Sequence, residues 1–362
     1  MSHADLGKSI AELDTPALLV DLDALDRNIA TMAAAARAAG ADWRPHIKAS
    51  KAPELAKRLI AGGAVGVTSA KVSEAEQMVD GGVDDLLIAN EIVGPIKIAR
   101  LAKLAGRARL CVAIDDAGNL REVAAAMSDA GTSIDILVDV NVNMNRCGVP
   151  PEDALPLAQL AVELDGVSLR GLMGYEGQVM NMEPEEKERE TIAAAEVLSE
   201  ARRLVEAGGI DVGCTSGGGT GNYWITLKQG HLSELQAGGG VLMDATYSAM
   251  GVRDHEHALF VLTQVISTPD GKRAIGDAGW KTTGRHTGMP LVNGRDDLEV
   301  VGLSAEHTHY RLGPQAQVRP GDKIQLIPSY SDSTVLLHRQ IHAMRNGAVE
   351  AVWDVAGAGM LQ

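Results

Sequence analysis

Residues 44–51, with the sequence RPHIKASK, place Lys48 among three other basic side chains, those of Arg44, His46 and Lys51. Burial or nearby positive charge lowers the pKa of a lysine and makes its amine a nucleophile near neutral pH. Such a lysine can hold an aldehyde as a Schiff base, and pyridoxal phosphate is the common aldehyde cofactor. Most lysines beside basic residues are solvated surface groups, so this interpretation depends on the rest of the chain.

Two glycine clusters later in the chain are suited to a phosphate group. The first, CTSGGGTGNY at 214–223, adds the hydroxyls of Ser216 and Thr220. The second is the run of three glycines at 238–240. Glycine turns expose backbone N–H groups in a concave surface that binds anions. One such cluster is more often a flexible turn, but two on neighbouring strand ends favour a phosphate site.

Four further side chains could take part in chemistry. Arg146, in NMNRCGV, could donate to the phenolate oxygen of the cofactor or to a substrate carboxylate. Tyr175, in GYEG, could pack on the cofactor or hydrogen-bond to it. His307 and Asp332 would form an acid/base or metal corner if the fold brought them together. Each of these residues, taken alone, is as often or more often structural.

Eight apolar runs alternate with amphipathic segments and predict the frame that positions these residues. The runs are 42–48, 64–69, 85–90, 108–115, 134–141, 167–175, 211–216 and 232–236, and the predicted helices are 53–61, 72–79, 95–105, 120–130, 151–164 and 184–207. Near-continuous Val, Ile and Leu indicate parallel strands covered on both faces. Eight strand–helix units predict an α/β fold, a (β/α)8 TIM-type barrel. A doubly wound open sheet is the alternative, but no early glycine-rich turn supports it.

The carboxyl ends of the eight predicted strands are all polar or charged. The active site of such a barrel lies at these ends, and the loops after strands seven and eight usually bind phosphate. Here those two loops carry the glycine clusters. The end residues are Lys48, Ser69, Asn90, Asp115, the 141–146 loop, Tyr175, Ser216 and Gln236. Their convergence is a stronger indication than any single motif.

From about residue 250 the pattern alternates in the manner of β-strands. Predicted strands are 257–267, 274–276, 298–303, 323–327, 333–342 and 349–355, and Asn346-Gly347 is a strong hairpin signal. The early strand 16–21 is surplus to the barrel, so we expect it to pair with this second, all-β domain. The predicted domains are therefore a cofactor-binding barrel at 22–252 and a β domain at 1–21 plus 253–362.

Composition and charge exclude several classes of partner. The formal net charge of -15 argues against nucleic acid and against an anionic membrane surface. No apolar run approaches the ~18 residues of a transmembrane helix. The first residues lack a signal-peptide pattern. Cys111, Cys147 and Cys214 are too few and too scattered for a disulfide framework, which predicts a cytoplasmic protein with reduced thiols.

Taken together, the motifs resemble those of the fold-type III pyridoxal-phosphate enzymes. They are most similar to the group of D-threonine aldolase, 3-hydroxy-D-aspartate aldolase and D-serine dehydratase. The resemblance runs through DTPALLVDLDALDRNI, RPHIKASK, KVSEAE, ANEI, RCGV, GYEG, SGGGTG, LQAGGGVLMDATY, DAGWK, SAEH and IPSYSD. It implies an alanine-racemase-like barrel with a β domain. It also implies a homodimer whose active sites form where two domains, one from each subunit, meet.

The resemblance also implies roles for individual residues. Lys48 would carry pyridoxal 5'-phosphate as a Schiff base. The other cofactor-binding residues would be Arg146, Tyr175, Ser216, Gly217, Gly218, Thr220, Gln236, Gly238 and Gly239. The implied reaction is retro-aldol cleavage of a small-molecule substrate, D-threonine-like or 3-hydroxy-D-aspartate, to glycine and an aldehyde. Lys48, Tyr330 and His307 are the candidate catalytic residues.

One motif departs from the family pattern. The family holds a divalent metal with His-x-Asp or His-x-Cys after a late proline, and this chain has Pro328-Ser329-Tyr330-Ser331-Asp332. Asp332 matches a metal ligand, but a neutral imidazole is a far better ligand than the phenol of Tyr330. The motif therefore leaves two alternatives for Asp332, with and without a bound Mn, Mg or Zn ion. Either His307 or His309 replaces the missing ligand, or Tyr330 acts in proton transfer without a metal.

Other functions stay open on the same residues. Loss of the Cα proton first would give a dehydratase, which forms a 2-oxo acid and ammonia. A second base opposite Lys48 would give a metal-free racemase. A non-catalytic pyridoxal-phosphate carrier is a hypothesis of a different class, and the β domain with its polar motifs argues against it.

Overall fold

In the computed structural model, which describes residues 4–362, the chain divides into two compact units. The first, called the barrel unit here, takes in Met32–Lys48, Ala56–Gly238 and Met360–Gln362. The second, called the sheet unit, takes in the described part of Met1–Thr31 together with Ala49–Leu55 and Gly239–Gly359. The domain boundaries given above from the sequence remain a prediction.

The elements follow one another in the order that the apolar runs indicate. The strands are β1 (Ala17–Asp21), β2 (Asp42–Trp43), β3 (Val67–Ser69), β4 (Asp85–Glu91), β5 (Arg109–Ile114), β6 (Ile134–Asp139), β7 (Val167–Gly174), β8 (Cys214–Gly217), β9 (Glu234–Leu235), β10 (Leu259–Ser267), β11 (Arg273–Gly276), β12 (Leu291–Val292), β13 (Leu298–Leu303), β14 (Thr308–Leu312), β15 (Lys323–Ile327), β16 (Gln340–Arg345) and β17 (Ala348–Asp354). The helices are α1 (Leu22–Ala38), α2 (Pro53–Ala61), α3 (Val72–Asp80), α4 (Pro95–Ala105), α5 (Ala117–Asp129), α6 (Ala154–Glu163), α7 (Pro184–Ala207), α8 (Tyr223–Thr226), α9 (Ala245–Ala249), α10 (Trp280–Thr283) and α11 (Ser331–Val335). Within residues 4–362, no helix has the length and apolar character needed to cross a membrane.

The barrel unit contains a sheet of eight parallel strands in the order β2-β9-β8-β7-β6-β5-β4-β3. Its two edges meet through a parallel bridge between His46 and Thr68. The Thr68 N–H donates to the Pro45 carbonyl at 2.9 Å, and the His46 N–H donates to the Gln236 carbonyl at 2.9 Å. The chain just after β2 is therefore hydrogen-bonded on both sides and closes the sheet into a barrel, which confirms the fold class predicted from the sequence.

The strands of the barrel are buried on both faces, as their apolar runs predict. One buried cluster joins alternate residues of neighbouring strands, namely Leu87, Cys111, Ala113, Leu137, Met173 and Cys214. The residues between them, among them Leu86, Ile88, Val112, Ile136 and Val138, are buried as well. Burial on both faces is the rule for parallel sheets with helical crossovers.

A buried ion pair links the first and last strands of the barrel. Arg44 is 4% exposed, and its Nε lies 2.7 Å from Oε2 of Glu234, which is 1% exposed. Nη1 of Arg44 lies 2.5 Å from Oδ1 of Asp85, and Arg170 also pairs with Oε2 of Glu234. A Cβ on Gly66 would overlap the Arg44 guanidinium. The glycine thus leaves the space that the arginine needs to reach both carboxylates.

The sheet unit contains nine strands. Their main order is β13-β14-β11-β10-β1-β16-β17, with β15 beside β10 and β12 beside β15. Strand β1 pairs antiparallel with β10 and parallel with β16, which confirms that the early strand belongs to this sheet. Asn346 and Gly347 have φ values of 50° and 78° and join β16 to β17, as the hairpin signal predicts.

Two local predictions for the sheet unit are wrong. The predicted strand 333–342 begins inside the helix α11, and the observed strand β16 starts only at Gln340. The N–H and the hydroxyl of Ser331, the first residue of α11, both donate to Asp244 Oδ2 at 2.8 Å. A carboxylate that accepts a hydrogen bond from the first N–H of a helix favours a helix start. Strand β14 was missed, although Thr308 and Tyr310 are buried there and Arg311 is exposed.

We expect replacement of Arg44 by Met to lower the free energy of unfolding by about 3–5 kcal/mol, because it leaves Glu234 buried with one fewer counter-charge. Urea denaturation of purified protein measures the change. Arg109→Met is the matched control, since Arg109 also pairs with Asp85 but its side chain is 68% exposed. The control should change stability by no more than about 1 kcal/mol. Equal effects of the two substitutions would contradict this ranking.

Candidate active site

Lys48 lies in a short 3-10 turn, Ile47–Ala49, directly after the first strand of the barrel, and its side chain is partly buried. Its backbone N–H donates to Nδ1 of His46 at 3.2 Å, so that ring nitrogen carries no proton. Arg44 is paired with Glu234 and Asp85, which offset its charge. The positive charge that Arg44 brings to this segment is therefore largely balanced within the barrel unit.

The loop after β8 is suited to bind an anion. Gly218, Gly219 and Gly221 are buried, and Gly218 has a φ of +80°. Among the described residues, no acceptor receives a hydrogen bond from the backbone N–H groups of these three glycines. Buried N–H groups are nearly always paired in folded proteins. Three of them in one loop fit the phosphate of pyridoxal phosphate, as the glycine cluster predicts.

Glycines in both clusters lie so close to other protein atoms that a side chain at these positions would collide with them. A Cβ on Gly219 would lie 2.9 Å from the Tyr175 ring and 2.9 Å from the end of the Met180 side chain. A Cβ on Gly238 would overlap the backbone of His46, and one on Gly239 would overlap the ring of Tyr247. These three glycines are thus required by the close approach of neighbouring protein groups.

Ser216 and Gln236 belong to a network that begins at the buried ion pair. The Ser216 hydroxyl donates to Glu234 Oε1 at 2.7 Å and accepts from Gln236 Nε2 at 2.9 Å. Its single proton is thus committed to the carboxylate, so the hydroxyl has no proton left for a phosphate. Two arginines hold the pKa of Glu234 below its usual range against the opposing effect of burial. Glu234 is therefore an ionised anchor for both side chains.

A second buried network holds the other end of the loop after β8, residues 218–222, called the glycine loop here. Glu176 Oε1 accepts from Asn222 Nδ2 at 2.8 Å and from Thr226 Oγ1 at 2.7 Å. Lys187 Nζ donates to the Gly221 carbonyl at 3.4 Å, and burial lowers the pKa of this lysine. Glu176 belongs to the GYEG motif, which did not indicate this role. The one available signal was a carboxylate beside a buried strand end.

Arg146 and Tyr175 lie together at the rim of the barrel. The exposed guanidinium of Arg146 is 5.5 Å from the centre of the Tyr175 ring, within cation–π range. The loop that carries Arg146 is held at its base, where the Gly148 N–H donates to Asp115 Oδ2 at 3.0 Å. Tyr175 in turn packs against Gly219. Contacts thus join Arg146 through Tyr175 to the glycine loop.

A group of acidic side chains and a thiol, which the sequence did not predict, lies beside the loop that carries Arg146. Ligand atoms of Glu91, Asp115 and Cys147 are within 4.8 Å of one another, the sole group of this kind in residues 4–362. Burial, and then the charge of Glu91, raise the pKa of the neighbouring Asp139. Burial and Glu91 also raise the pKa of Cys147 to about 11, so its thiol stays protonated at neutral pH.

The sheet unit brings two of the three remaining candidates together. The Tyr330 hydroxyl donates to Asp332 Oδ2 at 3.0 Å. His307 lies in the exposed turn between β13 and β14, and no side chain in residues 4–362 hydrogen-bonds to its ring. Ser304 Oγ lies 2.8 Å from Nε2 of His309, the other substitute ligand considered. A catalytic role for His307 stays a prediction to which the structure adds no contact.

Comparison with known families identifies the two parts of the chain. Residues 20–245 match the family described as alanine racemase, N-terminal domain, and residues 258–344 match a putative serine dehydratase domain. The chain belongs to the alanine racemase N-terminal domain family. Enzymes of this fold use pyridoxal phosphate, and the position of Lys48 and the unpaired N–H groups of the glycine loop fit that cofactor.

The relatives that match nearly the whole chain at 35–40% identity are aldolases. The chain is 40% identical to a D-threonine aldolase from Arthrobacter sp. over 98% of this chain and 96% of the relative. It is 37% identical to a 3-hydroxy-D-aspartate aldolase from Paracoccus denitrificans (strain Pd 1222), over 98% and 94%. The crystal structure of D-threonine aldolase from Filomicrobium marinum superimposes with a TM-score of 0.95, at 37% identity and with 99% of each chain covered.

We expect Glu176→Leu to weaken cofactor binding about tenfold, since the substitution removes the acceptor that anchors Asn222 and Thr226 at the end of the glycine loop. Titration of the apoenzyme with pyridoxal phosphate, followed by absorbance, gives Kd. Glu188→Leu on the exposed face of α7 is the control and should leave Kd unchanged. A Glu176→Leu protein that is folded and binds the cofactor normally would contradict the anchoring role.

Proposed function

We propose that this protein is a pyridoxal-phosphate-dependent carbon–carbon lyase that cleaves a D-β-hydroxy-amino acid to glycine and an aldehyde. The observation that carries the proposal is the chain of contacts in the barrel unit from Arg146 through Tyr175 to the unpaired N–H groups of the glycine loop. This unit also holds Lys48 at the end of its first strand. The names of the full-length relatives support D-threonine or 3-hydroxy-D-aspartate as the type of substrate.

Within this proposal, each residue of the barrel unit has a defined task. Pyridoxal phosphate, when bound, supplies an aldehyde for the lysine and a ring that takes up the electrons of the broken Cα–Cβ bond. Lys48 holds the cofactor through its amine and returns a proton to Cα to give glycine. The N–H groups of the glycine loop, with Thr220, bind the phosphate. Arg146, at the rim of the barrel, donates hydrogen bonds to the phenolate oxygen of the cofactor or to the substrate carboxylate.

The remaining residues of the proposed site orient these groups. Gln236, fixed by Ser216, lines the pocket, and the turn at Gly238 and Gly239 contributes backbone. Tyr330 and Asp332 serve the hydroxyl end of the substrate. The hydroxyl gives up its proton, the Cα–Cβ bond breaks, and the former hydroxyl carbon leaves as the aldehyde. We also propose that the protein is a homodimer, which light scattering after gel filtration would test.

A dehydratase is the second candidate, favoured by the match of residues 258–344 to a putative serine dehydratase domain. If Lys48 removes the Cα proton first, the β-hydroxyl leaves as water, and hydrolysis of the product gives a 2-oxo acid and ammonia. The two reactions therefore share the site and differ in which bond to the amino acid breaks first.

A product assay separates the candidates. Cofactor-loaded protein is incubated with D-threonine, with 3-hydroxy-D-aspartate and with L-threonine, and the products are identified by mass spectrometry. We expect glycine and the matching aldehyde from the D-amino acids alone. A 2-oxo acid with ammonia would assign the dehydratase reaction instead, and the opposite enantiomer would assign a racemase.

We expect Lys48→Ala to abolish glycine formation and to remove the absorption band of the lysine-bound cofactor, because no other residue of the proposed site supplies an amine. Lys97→Ala, an exposed position on α4, is the control and should keep both. Full activity in Lys48→Ala would overturn the assignment of the cofactor lysine.

A further inference from the structure

We propose that Tyr330 and Asp332 form a hydrogen-bonded pair that takes the place of a divalent cation, so that the proposed cleavage proceeds without one. The inference deepens the proposed function and rests on it. It starts from a disagreement: the family resemblance implies a cation ligand at Asp332, and the groups around Asp332 do not form a cation site.

The first step is the hydrogen bond within the pair. Tyr330 immediately precedes α11, and Asp332 lies in the first turn of that helix. The phenol proton is donated to Asp332 Oδ2 at 3.0 Å, so the hydroxyl stands where a cation on that oxygen would stand. A phenol with a pKa near 10 is neutral at physiological pH and is a weak ligand for Mn, Mg or Zn.

The second step is that the side chains around Asp332 do not form a set of cation ligands. In residues 4–362, Asp332 belongs to no group of three or more His, Cys, Asp or Glu side chains that could share an ion. Asp244, a nearby carboxylate, is already used: Oδ1 accepts from the Tyr247 N–H at 2.9 Å, and Oδ2 accepts from the N–H and hydroxyl of Ser331 at 2.8 Å. Its oxygens thus cap α9 and fix the start of α11.

The third step is that the Tyr330 side chain has a defined place. Its ring centre lies 5.9 Å from that of Tyr247 and 6.1 Å from that of the exposed His286, both tilted. Its carbonyl accepts from Ser333 Oγ at 3.1 Å and from Thr334 Oγ1 at 2.9 Å. Packing and hydrogen bonds therefore fix the phenol beside the carboxylate.

The pair and a cation would act differently on the substrate. A cation acts as a Lewis acid and polarises the oxygen that it binds. The phenol and carboxylate instead exchange hydrogen bonds with a hydroxyl, and the proton that leaves the substrate hydroxyl goes to Asp332. The bond that breaks, the aldehyde and the glycine product are the same in both cases.

Direct binding of Mn²⁺ to the holoenzyme tests the proposal without reference to activity. Electron paramagnetic resonance measures free Mn²⁺ during titration of wild type, Asp332→Ala, Tyr330→His, and Tyr330→His combined with Asp332→Ala. We expect no ion bound at this position in wild type, about one per chain in Tyr330→His, and loss of that ion in the double variant. A wild-type site that Asp332→Ala removes would overturn the proposal.

The activity of the same holoenzyme provides the second test. Glycine formation from D-threonine is measured after treatment with chelator and after addition of Mn²⁺. We expect the wild-type rate to change less than about twofold. A loss of more than tenfold that Mn²⁺ restores would overturn the cation-independent pair and leave the proposed cleavage standing. No glycine under either condition would overturn the proposed cleavage, and the Mn²⁺ titration would then decide the pair separately.

Discussion

The ion pair between Arg44 and Glu234 is the interaction on which the rest of the barrel unit depends. It joins the chain after β2 to the neighbouring strand β9, next to the point where the barrel closes against β3. Either charge alone in this interior would be strongly destabilising, and together with Asp85 and Arg170 they are compensated. Glu234 also accepts a hydrogen bond from Ser216. The carboxylate that balances the charges of the core therefore also positions Ser216 near the carboxyl end of β8.

The candidate active site is built outward from this pair in two directions. Along β2 the chain continues through His46 to the turn that carries Lys48. Along β8 and β9 it continues into Gln236 and into the glycine loop, whose far end is held by Glu176. The groups proposed to react with or bind the cofactor thus lie on short loops between rigid elements. Such support is what a site needs to hold a ligand in a defined geometry.

Much of this arrangement could be predicted from sequence, because its signals are local. Apolar runs gave the eight strands of the barrel, and the glycines of 217–219 marked the anion loop. Glu234 and Glu176 were missed because their partners, Arg44 and Asn222, are 190 and 46 residues away in the chain. Helix α11 was mistaken for a strand since the carboxylate that fixes its start, Asp244, is likewise distant in sequence.

Chemical trapping tests directly whether Lys48 carries the cofactor. Cofactor-loaded protein is reduced with borohydride, digested, and analysed by tandem mass spectrometry. We expect the reduced cofactor to be attached to the peptide from 44–51, on Lys48. Attachment to Lys51, attachment to a lysine elsewhere in the chain, or no attachment after full loading would contradict it.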